Sequence, residues 1–163
     1  MLRKRIAASD DETIIRLSRE LLLPFARATN PSITVDRLEM KKRLGRGVTW
    51  VSASHGRPPD GFIVFLVRDG RLWIDLLAVS PGRQGSGRGS ALLAKAEEHG
   101  RKKGCREVRV FVDESNTRAE WFYYRKGYRR VSYVQGVKCH ILAKPLSQGK
   151  QAWFGGGHPP FPA

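Results

Sequence analysis

The sequence predicts an α/β or α+β domain in which helices flank a mixed β-sheet. Three observations support this: the hydrophobic period changes from helical to strand-like at Val48, Asp69-Gly70 marks a tight hairpin, and helical and strand patterns alternate after residue 90. The chain has 163 residues, of which 40% are hydrophobic. That is enough for a single core without disulfides or metals, so one domain over residues 1–146 is expected.

The N-terminal segment predicts a short strand followed by two helices. A strand is expected from Leu2 to Ile6, and the Ser-Asp-Asp-Glu segment 9–12 is typical of a capping box that starts a helix. Apolar residues then recur at spacings of three and four until Pro24 stops the pattern. A weaker amphipathic helix is expected from Val35 to Leu44, closed by Gly45.

The remaining pattern predicts six strands and two helices. The first three strands, 48–53, 61–67 and 71–79, should form an antiparallel meander because the Asp-Gly pair favours a two-residue turn. A helix over 92–99, a strand over 107–112, a helix over 116–126 capped by Asn116, and two paired strands, 128–135 and 137–146, follow. Residues 147–163 contain four glycines and three prolines and are expected to form a C-terminal tail, loose or lying over the domain surface.

Composition limits the class of partner and the compartment. The formal net charge is +15, which suits nucleic acid, a phosphorylated small ligand, or simply a basic solvated surface. Cys105 and Cys139 lie 34 residues apart, which matches neither a CxxC pair nor a zinc site, so both are expected to be buried thiols in a reducing compartment. The charged N-terminus and the absence of an 18-residue apolar run favour a cytoplasmic protein without a membrane partner. The four histidines show no metal-ligand spacing, so no metal site is expected.

The densest chemical signal is the glycine-rich segment 81–90, which follows a predicted strand and precedes a helix. Glycines let the backbone approach a ligand closely, and the free amides of a first helical turn bind phosphate. The stretch 83–106 has seven basic and two acidic residues, so the ligand should be an anion. The segment lacks the Lys-Ser/Thr pair of a P-loop, and Ser90 occupies the third glycine position of a dinucleotide fingerprint. A plain glycine-rich loop is the remaining alternative.

Two motifs resemble the GNAT superfamily of acetyl-CoA-dependent N-acetyltransferases. Gln-Gly-Ser-Gly-Arg-Gly at 84–89 resembles the family's pyrophosphate-binding pattern Gln/Arg-x-x-Gly-x-Gly/Ala, and the preceding 77–81 resembles the end of its fourth strand. The second motif resembles the family's closing helix: Asn116-x-x-Ala119-x-x-Phe122-Tyr123-x-x-x-Gly127-Tyr128. The resemblance covers Val48 to Leu146. It implies a mostly antiparallel sheet of six to seven strands, flanked by about four helices and split between strands 4 and 5.

The resemblance also implies a reaction: direct transfer of an acetyl group from acetyl-CoA to a primary amine of a small molecule or a peptide or protein. Acetyl-CoA would be the co-substrate, with no metal. The residues that the resemblance places around it are Leu77, Ala78, Val79, Gln84, Gly85, Ser86, Gly87, Arg88, Gly89, Ser90, Asn116, Ala119 and Tyr123. Backbone amides near Leu77 to Val79 would stabilise the developing oxyanion.

Two side chains are candidates for proton transfer. An alkyl amine with a pKa of about 10.4 is almost entirely protonated at neutral pH, so a base is needed. Asp75 is the candidate base: strand alternation puts it on the face of Trp73 and Leu77, where burial would raise its pKa. One alternative is that water serves as the base. The other is that Asp75 only pairs with a neighbouring arginine. Tyr123 occupies the position of the family's general acid, with Tyr124 or simple core packing as alternatives.

A different class of function stays open. The same cradle could hold CoA without turnover, or the basic clusters at 101–103 and 125–130 could bind nucleic acid. Nucleic acid is disfavoured because the sequence has neither a zinc finger nor a convincing recognition helix. The acceptor amine cannot be read from the sequence, and a homodimer is compatible with the resemblance.

Overall fold

The computed structural model describes residues 1–146 as a seven-stranded mixed sheet with helices on both faces; the predicted tail lies outside these residues. The strands are β1 Leu2–Lys4, β2 Val48–Ser52, β3 Gly61–Arg68, β4 Arg71–Val79, β5 Glu107–Asp113, β6 Arg129–Val134 and β7 Cys139–Pro145. The helices are α1 Ala7–Leu21, α2 Leu23–Thr29, α3 Arg37–Arg46, α4 Arg88–Lys102 and α5 Thr117–Arg125, and a 3₁₀ turn covers Pro81–Arg83.

The sheet order β1-β2-β3-β4-β5-β7-β6 confirms the predicted fold class. Every neighbouring pair is antiparallel except β4 and β5, which run parallel. Their ladder joins Arg71–Ile74 to Glu107–Val110 and then stops, although β4 continues to Val79 and β5 to Asp113. The sheet is therefore split between strands 4 and 5, as predicted, and one edge of each strand end has no ladder partner.

Side-chain alternation along the central strands produces a core on each face of the sheet. On one face, Ile63 and Phe65 of β3 pack in a cluster with Leu92, Leu93 and Ala96 of α4. On the other face, Phe62 and Val64 pack in a cluster with residues of α1 and α3: Ile14, Ile15, Leu17, Met40 and Leu44. A strand covered on both faces reads as a continuous apolar run, which is the pattern of β3.

A β-bulge at Asp75 corrects the predicted alternation of β4. Val64 pairs with Leu76, but the next residue of β3, Phe65, pairs with Ile74, so Asp75 is one extra residue on β4. Because the extra residue shifts the side-chain period, Leu77 packs with the α4 cluster while its neighbour Leu76 packs against the α1 cluster. The expectation that simple alternation runs unbroken through Asp75 to Leu77 was wrong.

The N-terminal helices also differ from prediction in their boundaries. Helix α1 begins at Ala7, and the Asp10 carboxylate accepts the Ile6 amide at 2.7 Å, so the predicted capping box at 9–12 was wrong. Arg3 of β1 also forms a bidentate ion pair with Asp10, which neutralises the carboxylate that accepts the Ile6 amide. Pro24 does not simply end the first helix: it lies in the first turn of α2, where its missing N–H has no cost. Helix α3 continues through Gly45 and ends at Arg46.

Replacing Gly100 by Ala should destabilise the domain by about 1–3 kcal/mol because it overpacks the core. A Cβ at Gly100 would lie 2.8 Å from the Leu146 side chain and 3.1 Å from that of Leu72, both buried. At Gly45 a Cβ would meet nothing within 4 Å, so Gly45→Ala should instead stabilise helix α3 by about 0.5–1 kcal/mol. Urea unfolding of both variants tests this, and equal midpoints for the two would contradict the packing at Gly100.

Candidate active site

The glycine-rich segment forms an open cradle of backbone amides. Within the described chain, none of the seven amides of residues 84–90 donates a hydrogen bond to another residue. Gly85 and Gly87 adopt φ values of +77° and +83°, which other L-residues rarely adopt. A Cβ at either position would meet no protein atom within 4 Å, so the backbone itself faces open space. These unpaired amides at the positive end of α4 can therefore donate hydrogen bonds to an anion.

Side chains of the cradle hold it against the sheet. The Gln84 side-chain amide donates to the Val79 carbonyl at 2.8 Å, which ties the loop to the end of β4. Arg88 donates to Asp60 at 3.1 Å and to the Ser86 hydroxyl at 2.7 Å. Sequence reasoning missed Asp60, because it lies in the loop before β3, where no local pattern indicates a partner 28 residues away.

A second feature, a cavity of about 300 Å³, lies where β4 and β5 separate. Five of the predicted site residues line it: Asp75, Leu77, Asn116, Ala119 and Tyr123. Residues 78–90 do not line the cavity, so the structure divides the predicted residues between the cradle and the cavity. The other wall comes from α1, α2, the segment 33–35 and α3: Ser18, Leu22, Leu23, Ala26, Ile33, Thr34, Val35, Met40 and Arg43.

Tyr123 is buried at the wall of this cavity. Its side chain is 5% exposed, and its ring packs edge-on against Phe122 and Tyr128. No hydrogen bond of its hydroxyl is found among residues 1–146, and burial raises the pKa of Tyr123 far above that of a free phenol. The hydroxyl is therefore protonated at neutral pH and has no protein acceptor in the described chain. Tyr124, the neighbouring candidate, does not line the cavity; its ring packs against Trp121 and Arg129.

Asn116 caps helix α5, as predicted. Its side-chain oxygen accepts the Ala119 amide at 3.2 Å, which fixes the first turn of the helix next to the end of β5. This cap places Ala119 and, one turn later, Tyr123 on the helix face that borders the cavity.

Asp75 differs from its predicted environment. Arg43 of α3 donates to both of its carboxylate oxygens, at 2.6 and 3.1 Å, and the Asp75 side chain is 24% exposed. The predicted burial among apolar side chains was wrong, because the bulge and Arg43 supply a polar environment. The structure instead matches the alternative in which Asp75 pairs with an arginine.

Asp113, at the end of β5, is a cavity residue that sequence reasoning missed. Its carboxylate accepts a hydrogen bond from the Cys139 thiol at 3.5 Å, and burial raises the pKa of Asp113 above its ordinary value. In the sequence, Asp113 directly follows the apolar end of the predicted strand 107–112, which is only weak evidence for a functional residue. Only the separation of β4 and β5 shows that the end of β5 borders a cavity.

Three simpler observations concern the cysteines, the possible metal ligands and the helices. Cys105 and Cys139 are both free and buried, which confirms the prediction of unpaired thiols. Residues 1–146 contain no cluster of three or more His, Cys, Asp or Glu side chains that could hold a metal ion. None of the helices in this part of the chain combines the length and apolar character needed to cross a bilayer.

Comparison with known proteins agrees with this geometry. Residues 16–128 match the model of the acetyltransferase (GNAT) family. The chain is similar to blasticidin-S acetyltransferase of Streptomyces morookaense, with 39% identity over 80 residues that cover 46% of this chain and 57% of that protein. It is also similar to mycothiol acetyltransferase of Geodermatophilus obscurus, with 40% identity over 55 residues, or 34% of this chain and 18% of that protein. The matched segments thus span little more than half of the first relative and less than a fifth of the second.

Solved structures share the fold. PaiA N-acetyltransferase of Thermoplasma acidophilum, in complex with coenzyme A, has a TM-score of 0.72 and 20% identity, covering 89% of this chain and 99% of that one. The ribosomal-protein-S18-alanine N-acetyltransferase of Escherichia coli has a TM-score of 0.66 and 18% identity, covering 94% and 99%. At these identities the likeness establishes the architecture.

Proposed function

The chain belongs to the GNAT acetyltransferase family, and from that premise we propose that it is an N-acetyltransferase that transfers an acetyl group from acetyl-CoA to a primary amine of a small molecule or peptide. The observation that carries the proposal is the adjacency of two features at the split of the sheet. One is a cradle of seven unpaired amides, and the other is a cavity walled by a buried tyrosine whose hydroxyl has no partner in residues 1–146.

The cradle residues fit a diphosphate. The amides of residues 84–90 would donate to its oxygens, and the half-exposed Arg83 lies beside them with its guanidinium 3.9 Å from Asp60. The free edge of β4 over Leu77 to Val79 would offer main-chain hydrogen bonds to the amides of the pantetheine arm, since its ladder with β5 ends at Ile74. Asn116 and Ala119 line the cavity.

When bound, acetyl-CoA would supply a thioester carbonyl that an amine can attack. Tyr123 would then give its hydroxyl proton to the departing sulfur. Because burial makes a phenolate costly, Tyr123 must regain a proton in the same step, and the nitrogen, which loses a proton on forming the amide, is its source. The free hydroxyl supports this role, since no protein acceptor in the described chain competes for its proton.

Asp75 was the sequence-based candidate for the base. To accept a proton in this structure it would have to give up one of two charge-assisted bonds to Arg43, and such bonds are worth more than neutral hydrogen bonds. We therefore propose that Asp75 fixes the Arg43 side chain in the wall of the cavity and that another group accepts the acceptor's proton.

The direct test is an acetyl-transfer assay. Purified protein with acetyl-CoA and a panel of primary amines should release free thiol and form the acetylated amine, detected by a thiol reagent and by mass spectrometry. Isothermal titration with CoA alone measures the cradle separately. Absence of thiol release with every amine, together with salt-sensitive retention of DNA or RNA, would favour the binding-module alternative.

Location and assembly remain predictions. The free thiols of Cys105 and Cys139 and a CoA thioester co-substrate support a cytoplasmic location. A homodimer stays a prediction that analytical ultracentrifugation can check.

A further inference from the structure

The charges of the side chains that line the cavity do not sum to zero. They are Arg43, Asp75 and Asp113 in the described part of the chain. Arg43 and Asp75 neutralise each other in their bidentate pair. Asp113 has no ion pair with any residue in 1–146, so the cavity carries one uncompensated carboxylate.

Asp113 and Asp75 lie on opposite arms of the split. Asp75 follows the last ladder residue of β4 directly, whereas Asp113 lies three residues beyond Val110, the last ladder residue of β5. The Cys139 thiol bonded to Asp113 is a weak donor, and burial, with the nearby Asp113 charge, raises the pKa of Cys139 to about 12. The thiol therefore stays neutral at physiological pH and does not offset the charge of Asp113.

A partly buried carboxylate without a cation is unfavourable, and this is the physical reason that the pKa of Asp113 is raised. A ligand cation placed against it would recover the lost solvation. The wall formed by α1, α2, the segment 33–35 and α3 is mostly apolar and would cover a hydrocarbon body: Leu22, Leu23, Ala26, Ile33, Val35 and Met40.

We propose that Asp113 binds the ammonium group of the acceptor and accepts its proton, and that the acceptor is a small primary amine carried on an apolar body. The proton-transfer half of this statement rests on the proposed function; the binding half does not. The cavity volume of about 300 Å³ limits the body to a small group such as an aryl or short alkyl chain.

The proton balance is simple. The acceptor R–NH₃⁺ transfers one proton to the Asp113 carboxylate, which yields R–NH₂ with a free lone pair and a neutral carboxylic acid. The neutral acid then loses its proton to solvent. The second proton that the nitrogen loses, on forming the amide, is the one that returns to Tyr123.

Other titratable groups surround Asp113 and must be separated from it in a pH experiment. Cys139 and His140 lie on β7, Glu114 is the next residue and bonds to the Tyr133 hydroxyl at 2.5 Å, and Tyr123 lies on α5. Arg43 and Asp75 lie across the cavity. Asp113 must be ionised to act, so kcat/KM should fall as pH falls through its raised pKa, which lies above the usual range for Asp.

The test compares Asp113→Asn with Glu114→Gln, which removes the same charge one residue away from a side chain that does not line the cavity. The probes are phenethylamine, a cation at neutral pH, and 2-phenylethanol, its neutral analogue. Titrated into CoA-saturated protein, phenethylamine should bind at least ten-fold more weakly to Asp113→Asn than to wild type. Its affinity for Glu114→Gln and the affinity of 2-phenylethanol for every variant should stay within about two-fold.

Turnover gives the second readout. With phenethylamine, Asp113→Asn should lose at least ten-fold in kcat/KM and lose the low-pH limb of the profile. With aniline, which is unprotonated at neutral pH, the loss should be under three-fold. Phenethylamine binding that is unaffected by Asp113→Asn, or absent in the wild type, overturns the inference whether or not the protein acetylates amines. If Asp113→Asn weakens phenethylamine binding as expected but no variant or wild type releases thiol, the proposed function and the proton-transfer half of the inference are contradicted. The binding half then stands.

Discussion

Tyr123→Phe is expected to lower kcat about 100-fold while leaving the affinity for CoA within about two-fold of wild type. The expected loss has the magnitude that a positioned general acid contributes. The phenyl ring keeps the packing against Phe122 and Tyr128, and the hydroxyl bonds no residue in the described chain, so the variant should fold with unchanged stability. Steady-state kinetics with saturating acetyl-CoA, CoA titration and thermal unfolding measure the three quantities.

Tyr124→Phe is the matched control, since it removes a hydroxyl from the next residue of α5, whose side chain does not line the cavity. Its kcat should stay within about two-fold of wild type. Equal kcat values for Tyr123→Phe and Tyr124→Phe would remove Tyr123 from the mechanism and leave it as a core residue.

Gly87→Val should weaken CoA binding about 100-fold, or about 2.8 kcal/mol. Gly87 is the N-cap of α4 with φ +83°, and its missing side chain leaves open space at the mouth of the cradle. A valine there meets two obstacles: strain in the left-handed region, worth about 1–2 kcal/mol, and a side chain where the diphosphate would lie. Isothermal titration with CoA measures the effect.

Gly104→Val separates these two causes. Gly104 also has a left-handed φ, +73°, and open space at its Cβ position, but it follows the opposite end of the same helix, about 22 Å away. Both variants should lose similar stability, and only Gly87→Val should lose affinity for CoA. If Gly104→Val weakens CoA binding as strongly, the effect is general destabilisation and the cradle assignment loses its support.

Local patterns explain how much of the fold could be predicted. The boundaries of β4 were predicted to the residue, because Asp69-Gly70 fixes its start and the segment of β-branched and aromatic residues fixes its length. The cap at Asn116 was also predicted, since both partners lie within one helical turn. Errors occurred where a distant partner overrode the local preference: Arg3 of β1 neutralises Asp10, and α1 starts before the apparent capping box at 9–12.

The candidate site divides in the same way. The cradle at 84–90 was identified from the sequence because its chemistry depends on consecutive backbone amides and on glycines that adopt left-handed φ. The environments of Asp75 and Asp113 were not identified from the sequence. Asp75 meets Arg43 from a helix 32 residues earlier, and the bulge that turns it towards Arg43 follows from how β3 and β4 pair.

The sequence by itself therefore determined the order of the strands and of every helix except α2, the glycine-rich cradle and the tyrosine of α5, since each depends on residues within about one turn or one strand of each other. Tertiary structure alone decided where β4 and β5 part, which carboxylate is neutralised and which is left exposed to the cavity. The physical reason is that charge balance and strand register are set by contacts between residues far apart in the chain, and the period of a single strand contains no information about them.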